Sequence, residues 1–557
     1  MKNSFKKYLP FKSVNINDRQ WPNNSINKAP RWCSVDLRDG NQALVNPMNI
    51  EEKIEFFKLL ISIGFKEIEV GFPSASETEY EILRTLIEKD LIPDDVSIQV
   101  LVQAREHLIR KTFEAIEGAK NVIVHFYNST STLQRKVVFK KDMEGIIDIA
   151  VNGAKIISEL IAKQADTSNI RIEYSPESFS GTEVDNSVEI CSRVMEIIKP
   201  TPENKIILNL PSTVQLSTPN HYADQIEYFS RNIPNRESAI ISVHPHNDRG
   251  TGVADAEFAL MAGADRVEGT LFGNGERTGN VDIITLALNM TTQGIDPELD
   301  FSDLNKIKTI YEKCTKMNVH ERQPYVGELV FTAFSGSHQD AINKGFEYMK
   351  ANNSDYWEIP YLPIDPADVG RQYEPVIRIN SQSGKGGTAF IMQNNFGYNL
   401  PKTMQPEFGT IVQSEAEKTG KELTANDIYE LFKREYLEVK TPYLLSEYKI
   451  EEKGHNGNSS VKFDGIITYN GLPKNISGEG NGPIDAFFNG LKAIEIEGYE
   501  FINYNEHAIS TGSNAKAVAY IELKTPKGKH IFGVAIESNI DVASIKGIVC
   551  AINRSLQ

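Results

Sequence analysis

A chain of 557 residues exceeds what one hydrophobic core usually supports, so two to four domains are expected. With 40% hydrophobic and 24% charged residues its composition is that of a globular protein, and a formal net charge of −16 argues against general affinity for nucleic acid or anionic membranes. Four scattered cysteines (Cys33, Cys191, Cys314, Cys550), no apolar run long enough to span a bilayer and no secretory h-region point to a reducing cytoplasm.

Residues 1–30, rich in Asn and Lys, read as an arm that Tyr8, Phe11 and Trp21 would pin to a body. A strand–helix rhythm then begins. Strand 32–37 leads through an Arg-Asp-Gly-Asn turn to an amphipathic helix over 50–63, in which Ile50, Ile54, Phe57 and Ile61 share a face. Asn49 and Glu52 suit a capping box, and Gly64 a stop. Further strands are expected at 67–72, 96–102, 121–127, 171–175, 205–210, 239–244 and 266–271. The matching helices are 77–88, 105–117, 141–162, 184–198, 219–232, 253–262 and 280–292. The strands are Val/Ile-rich and nearly continuous in apolar character, as buried parallel strands are. Eight such units predict an α/β fold, a (β/α)8 TIM barrel. An open doubly wound sheet is disfavoured by the count and by the absence of a Gly-x-Gly-x-x-Gly after the first strand.

Beyond about residue 300 the rhythm is lost. Residues 300–325 read as helical, and 326–440 as short helices around a proline-rich loop (Pro360, Pro363, Pro366). The run Ser381–Gly387 lacks the spacing of a phosphate loop and is rejected as a nucleotide site. A polar turn or linker is expected over 450–460, followed by strands 461–469, 517–524 and 531–536 and helices 483–494 and 541–552. The division expected is an arm (1–30), a catalytic barrel (31–325), linker subdomains (326–445) and a C-terminal α+β regulatory domain (446–557).

In a closed barrel, strands 7, 8 and 1 are neighbours. His244 and His246, two apart at the end of strand 7, project to one face. Asp39 follows strand 1, and Asn280 closes the glycine-rich stretch after strand 8. Two imidazoles, a carboxylate and an amide oxygen at the C-terminal mouth suit a divalent ion that keeps positions open for substrate. Arg38 can stabilise developing negative charge. Glu69, His125, Glu177 and Thr213 lie at the ends of strands 2, 4, 5 and 6, and Gly273, Gly275 and Gly279 let backbone amides approach a ligand. Two histidines and a carboxylate would also suit a non-haem iron oxygenase, but that triad usually lies on a β-sandwich. An amino-acid-sensing scaffold with a dead barrel would show a lost ligand, and here every expected ligand is present.

Leu37-Arg38-Asp39-Gly40-x-Gln42 with Lys53, and His244-x-His246-Asn-Asp-x-Gly250 running on to Ala254, resemble the signatures of the acyl-CoA-dependent Claisen-condensing barrel enzymes. Asp36–Met48, Glu69–Glu77, His125–Ser131, Tyr174–Glu183, Gly273–Asp282, Ser335–His338 and Val369–Tyr373 resemble, in particular, the long-form 2-isopropylmalate synthase family, and the likeness runs from about Trp21 to the C-terminus. The resemblance implies condensation of acetyl-CoA with 2-oxoisovalerate and hydrolysis of the thioester, giving 2-isopropylmalate and CoA, the first committed step of leucine biosynthesis. It implies Asp39, His244, His246 and Asn280 as ligands of a divalent metal ion (Mg²⁺, Mn²⁺ or Zn²⁺), with a monovalent cation such as K⁺ as a further candidate. It implies Arg38, Glu177, His338 and Tyr373 in catalysis and His125, Ser175 and Thr213 on the 2-oxo acid. His338 and Tyr373 would come from the other subunit of a domain-swapped homodimer. Gly478–Ala486 follows the pattern of a leucine-sensing domain, which implies leucine as an allosteric inhibitor; the segment from Gly533 departs from that pattern. Homocitrate and citramalate synthases share the barrel motifs. The C-terminal domain and Tyr174-Ser-Pro-Glu-Ser-Phe179 favour the 2-isopropylmalate synthases over both.

Overall fold

The computed structural model describes residues 4–163, 170–333, 335–373, 385–419, 423–455, 458–509 and 515–557. The chain forms two compact units, Met1–Phe331 with Ile364–Gln372, and Thr332–Pro363 with Tyr373–Gln557.

The first unit holds a closed barrel of eight parallel strands: β1 (Arg31–Ser34), β2 (Glu67–Gly71), β3 (Ser97–Gln103), β4 (Val122–Ser129), β5 (Ile170–Glu177), β6 (Ile206–Ser212), β7 (Ala239–Pro245) and β8 (Arg266–Gly269). Each strand pairs with the next, and β8 closes on β1 with Trp32 opposite Val267. The helices α1 (Ile50–Ile63), α2 (Glu77–Glu88), α3 (Glu106–Ala115), α4 (Met143–Lys163), α5 (Val184–Ile198), α6 (Pro219–Asn232), α7 (Gly252–Met261) and α8 (Ile283–Thr291) alternate with them, and α9 (Leu304–Thr315) follows. The expected fold is the observed one. Every residue of β6 and β7 is buried, as strands covered by helices must be. Helix α1 carries the expected capping box, and Gly64 ends it at φ 111°, a left-handed conformation open to glycine.

The inner face of the barrel changes character along the strands. Ile123, Ile207 and Ile240 form an apolar cluster. Two residues further on, with the same side-chain direction, stand His125, Asn209 and Ser242, and two beyond Ser242 is His244. The barrel is thus apolar at one level and polar toward the C-terminal ends of its strands.

The end of the first strand differs from expectation. β1 stops at Ser34, and Asp36–Gly40 coil into a single π-helical turn. The Asp36 carboxylate holds that turn, accepting from Ser34 Oγ (2.8 Å) and from the backbone N–H of Leu271 just beyond β8 (3.1 Å). In the N-terminal arm Trp21 is the anchor: its indole donates to Asp224 (2.9 Å), the carboxylate that Arg19 also grips. Tyr8 stays exposed.

The second unit contains α10 (Gly336–Asn352), α11 (Lys385–Phe396), α12 (Gln405–Thr419) and α13 (Ala425–Phe432). Next come an antiparallel sheet of β9 (Tyr443–His455), β10 (Asn458–Tyr469) and β11 (Leu472–Gly480), then α14 (Pro483–Lys492). A second antiparallel sheet of β12 (Glu500–Ala508), β13 (Ala517–Lys524) and β14 (His530–Glu537) precedes α15 (Ile540–Ser555). The stretch 450–460, expected as a linker, lies largely in the paired strands β9 and β10. Strands β13 and β14 are packed on both faces. Val518 and Tyr520 point to a core with Phe408, Val412 and Phe432, whereas Ile521 and Leu523 point to one with Phe463, Phe487 and Ile548. Of the run Ser381–Gly387, residues 381–384 lie outside the described residues. No helix among the described residues is long and apolar enough to cross a membrane.

Candidate active site

β7 delivers His244 and His246 to the barrel mouth, their rings 5.2 Å apart at the centroids. The π-helical turn after β1 brings Asp39 to them, and potential ligand atoms of the three side chains lie within 4.8 Å of one another. Asp39 Oδ1 accepts from Arg38 Nη1 (2.6 Å) and Gln42 Nε2 (3.1 Å). Its Oδ2 is buried with no hydrogen-bond partner, 3.5 Å from His244 Nε2 and 3.8 Å from His246 Nε2. A buried, unpaired carboxylate oxygen is costly unless a cation meets it. Asn280 adds another acceptor: its Nδ2 donates to the Asn274 carbonyl (2.9 Å), which turns Oδ1 to 2.9 Å from His244 Nε2. Asp39, His244 and His246 thus bring ligand atoms to one point, with Asn280 Oδ1 beside His244, and this donor set fits a divalent ion.

The charges around this point are strongly biased. Burial alone would raise the Asp39 carboxyl, but Arg38 and the two histidines hold it far below the usual carboxylate range. Burial opposes the His244 imidazolium, yet hydrogen bonds and charge from Asp39 and Glu268 outweigh it and raise the group to about 9. Burial and the neighbouring His244 push His246 down to about 3.

Arg38 spans two carboxylates, Asp39 and Glu69, with its side chain only 11% exposed. Glu69 Oε2 lies 3.0 Å from His125 Nδ1, and His125 Nε2 lies 2.7 Å from Ser175 Oγ. An ionised carboxylate accepts only, which assigns the proton to Nδ1 and makes Nε2 the acceptor of the Ser175 hydroxyl. Glu69, His125 and Glu268 are a second group with ligand atoms within 4.8 Å of one another. Gln99 fills it, its amide nitrogen donating to Glu69 (2.7 Å) and Glu268 (2.8 Å). Its hydrogen bonds are made from within, so this cluster reads as an internally satisfied network, unlike the set around Asp39.

Of that network sequence reasoning named Glu69 and His125 and missed Glu67, Gln99, Glu173, Arg266 and Glu268. Arg266, wholly buried, donates to Glu67 (2.5 Å), Ser242 (2.8 Å), Glu268 (2.9 Å) and Gln99 Oε1 (2.8 Å). Glu173 lies among them with no hydrogen bond to either oxygen; burial and the charge of Glu268 raise its pKa well above the ordinary value. The available signal was charge at alternate positions of a strand, Glu67 and Glu69 in β2 and Arg266 and Glu268 in β8, which share a face.

A cavity of about 290 Å³ opens above this floor, lined by Arg38, Asp39, His125, Ser175, Glu177, Thr213, His244 and His246 among others. Glu177 accepts from Ser129 Oγ, and Thr213 Oγ1 accepts from the Ser178 amide (3.0 Å). Glu276 and Arg277 of the loop after β8 also reach the cavity. Arg277 pairs with Asp248 (2.6 Å) and donates to the Thr213 carbonyl (2.5 Å). Asn280 does not line the cavity; it is 1% exposed behind its wall. His338 and Tyr373 belong to the second unit. There the His338 ring stacks on Tyr361 at 4.1 Å, and the Tyr373 hydroxyl is buried without a hydrogen-bond partner.

The site is that of a barrel enzyme whose C-terminal mouth carries a candidate metal centre. Residues 29–310 match the HMGL-like family, 328–393 the alpha-isopropylmalate synthase post-catalytic domain-like family, and 422–556 the LeuA allosteric (dimerisation) domain. A 2-isopropylmalate synthase of Clostridium acetobutylicum is 56% identical over 99% of this chain and 99% of that protein. One of Agrobacterium fabrum is 57% identical over 99% of this chain and 98% of that protein, and one of Rhodospirillum rubrum 54% over 98% of each. The chain belongs to the 2-isopropylmalate synthase family and is an enzyme of the acyltransferase type.

Proposed function

We propose that this enzyme condenses acetyl-CoA with 2-oxoisovalerate and hydrolyses the thioester, releasing 2-isopropylmalate and CoA. The observation that carries the reading is the unpaired Asp39 Oδ2, buried beside His244 and His246 on the floor of a cavity that Arg38 also lines. Asp39, His244 and His246, with Asn280 completing the set, hold a divalent ion. When bound, that ion supplies Lewis acidity to the ketone and carboxylate of the 2-oxo acid. His125, Ser175 and Thr213 hold the 2-oxo acid. A base takes a proton from the acetyl methyl, the enolate carbon bonds to the ketone carbon, Arg38 offsets the negative charge that develops on the ketone oxygen, and that oxygen takes up a proton. Glu177, buttressed by Ser129, positions the acetyl group. Water then cleaves the thioester.

His338 and Tyr373 act from the partner subunit of a homodimer, in keeping with their place in the unit that carries the dimerisation domain. The same domain, over residues 446–557 of the division proposed above, binds leucine and lowers activity when the end product accumulates. The test is thiol release from acetyl-CoA with 2-oxoisovalerate, 2-oxoglutarate and pyruvate in parallel, with and without leucine and chelator. The highest kcat/KM is expected with 2-oxoisovalerate, with activity lost to chelator and reduced by leucine. A higher kcat/KM with either rival acid would reassign the substrate.

A further inference from the structure

The two histidines of the metal centre are supported unequally. His246 Nδ1 is buried with no hydrogen-bond partner. His244 Nδ1 lies 2.8 Å from Glu268 Oε2. Glu268 is wholly buried on β8 and is itself gripped from three further sides: Arg266 Nη1 (2.9 Å) and Gln99 Nε2 (2.8 Å) donate to Oε1, and Asn209 Nδ2 (3.2 Å) to Oε2. With four donors the carboxylate has little freedom to rotate. Those donors come from β3, β6, β7 and β8, so the carboxylate couples the His244 ring to half the strands of the barrel.

We propose that Glu268 is the positioning residue of the metal centre: it accepts the Nδ1 proton of His244, fixes the ring's tautomer and orientation, and so presents the Nε2 lone pair to the ion. This rests on the reading of Asp39, His244 and His246 as metal ligands. An ionised carboxylate accepts but does not donate, so a ring held at 2.8 Å keeps its proton on Nδ1. Carboxylates behind a ligating histidine act in this way and raise the ligand's basicity. Glu268 has no place in the cavity wall, so its effect passes through His244 and not through the substrate.

The experiment titrates the metal-stripped full-length protein with Mn²⁺, reading free ion by electron paramagnetic resonance, for wild type, Glu268→Gln and Glu173→Gln. Glu173→Gln is the control: it alters the same buried network, does not touch His244, and keeps the size and shape of the side chain. Glu268→Gln is expected to bind Mn²⁺ about 10–100-fold more weakly, and Glu173→Gln within about twofold of wild type. Equal affinity of wild type and Glu268→Gln would overturn the inference and leave the metal centre standing. Failure of wild type to bind Mn²⁺ would overturn the metal reading and this inference with it. Should Glu268→Gln not fold, wild type labelled with ¹⁵N-histidine and loaded with Zn²⁺ decides the matter. His244 is expected as the Nδ1–H tautomer with Nε2 shifted by the metal, and the opposite tautomer would overturn the inference.

Discussion

Two buried aspartates near the barrel mouth show how partners decide a charge. Asp39 has Arg38 beside it and stays ionised at every working pH. Asp255 on α7 makes no ion pair among the described residues. It accepts one hydrogen bond, from Gln215 Nε2 (2.7 Å), and its Oδ1 has no partner. Burial therefore lifts it from 3.8 to about 7. Gln215 in turn accepts from the Arg249 amide (2.7 Å), so this aspartate braces the loop that follows His246. The folded state binds the proton more tightly than the unfolded state, so the stabilisation is full below about 3.8 and is lost as pH rises through about 7. A rise from 3.8 to about 7, at about 1.4 kcal/mol per unit, sets a ceiling of ~4 kcal/mol on the loss. Asp255→Asn removes the titration. Its melting temperature relative to wild type should climb between pH 5 and 7 and level off above pH 7. Thermal melts at four pH values check this, and a difference that does not vary with pH would refute it.

At the scale of the element, the loop from β8 to α8 is held by close backbone approaches. Gly279 sits at φ 90°, and a Cβ placed there would meet the Gly273 carbonyl oxygen at 1.7 Å. The same residue accepts from the Asn247 amide (2.9 Å), which ties the loop to the chain just after His246. Gly279→Ala must open this turn and shift Asn280 beside His244. Misplacing a ligand by about 1 Å costs on the order of a hundredfold in rate, while the strain costs only about 1–3 kcal/mol of stability. The expected outcome is a folded variant with kcat/KM for thiol release reduced roughly a hundredfold. Near-normal turnover would show that the loop does not set the site. The glycines themselves were legible in the sequence, as were the eight strand–helix units, because covered parallel strands are apolar throughout and their helices are amphipathic. The charged barrel interior was not. Glu67 and Arg266 compensate each other across 199 residues, and no local pattern announces such a partner. Strands β9, β11 and β12 were missed for a related reason. β12 is exposed along almost its whole length, and only Ile502-Asn503-Tyr504-Asn505 alternates between apolar and polar, too short a run to mark a half-buried strand. The candidate ligands Asp39, His244, His246 and Asn280 could be brought together from sequence because each lies at the end of, or in the segment after, a strand whose place in the barrel follows from counting.

For the whole molecule, the question is which parts unfold together. The second unit is continuous in space although its helices and its C-terminal sheets are separated along the chain. Phe532 of β14, 4% exposed, packs in one cluster with Phe408 of α12 and Phe432 of α13. Arg554 of α15 reinforces the joint, lying over the Tyr436 ring at 4.1 Å and pairing with Glu407 of α12 (2.6 Å) and the Phe532 carbonyl. A change at the sheet must therefore be felt in helices more than a hundred residues earlier. Phe532→Ala leaves a cavity in this shared core and should cost about 3–5 kcal/mol. Hydrogen exchange provides the map, because amides lose protection together when they belong to one cooperative unit. Faster exchange is expected across α12, α13, β13 and β14, with β6 and β7 of the barrel unchanged. If protection were lost in β13 and β14 alone, the helices would be a separate cooperative unit. Any leucine signal arising in the C-terminal sheets would then need a route other than this core to reach them.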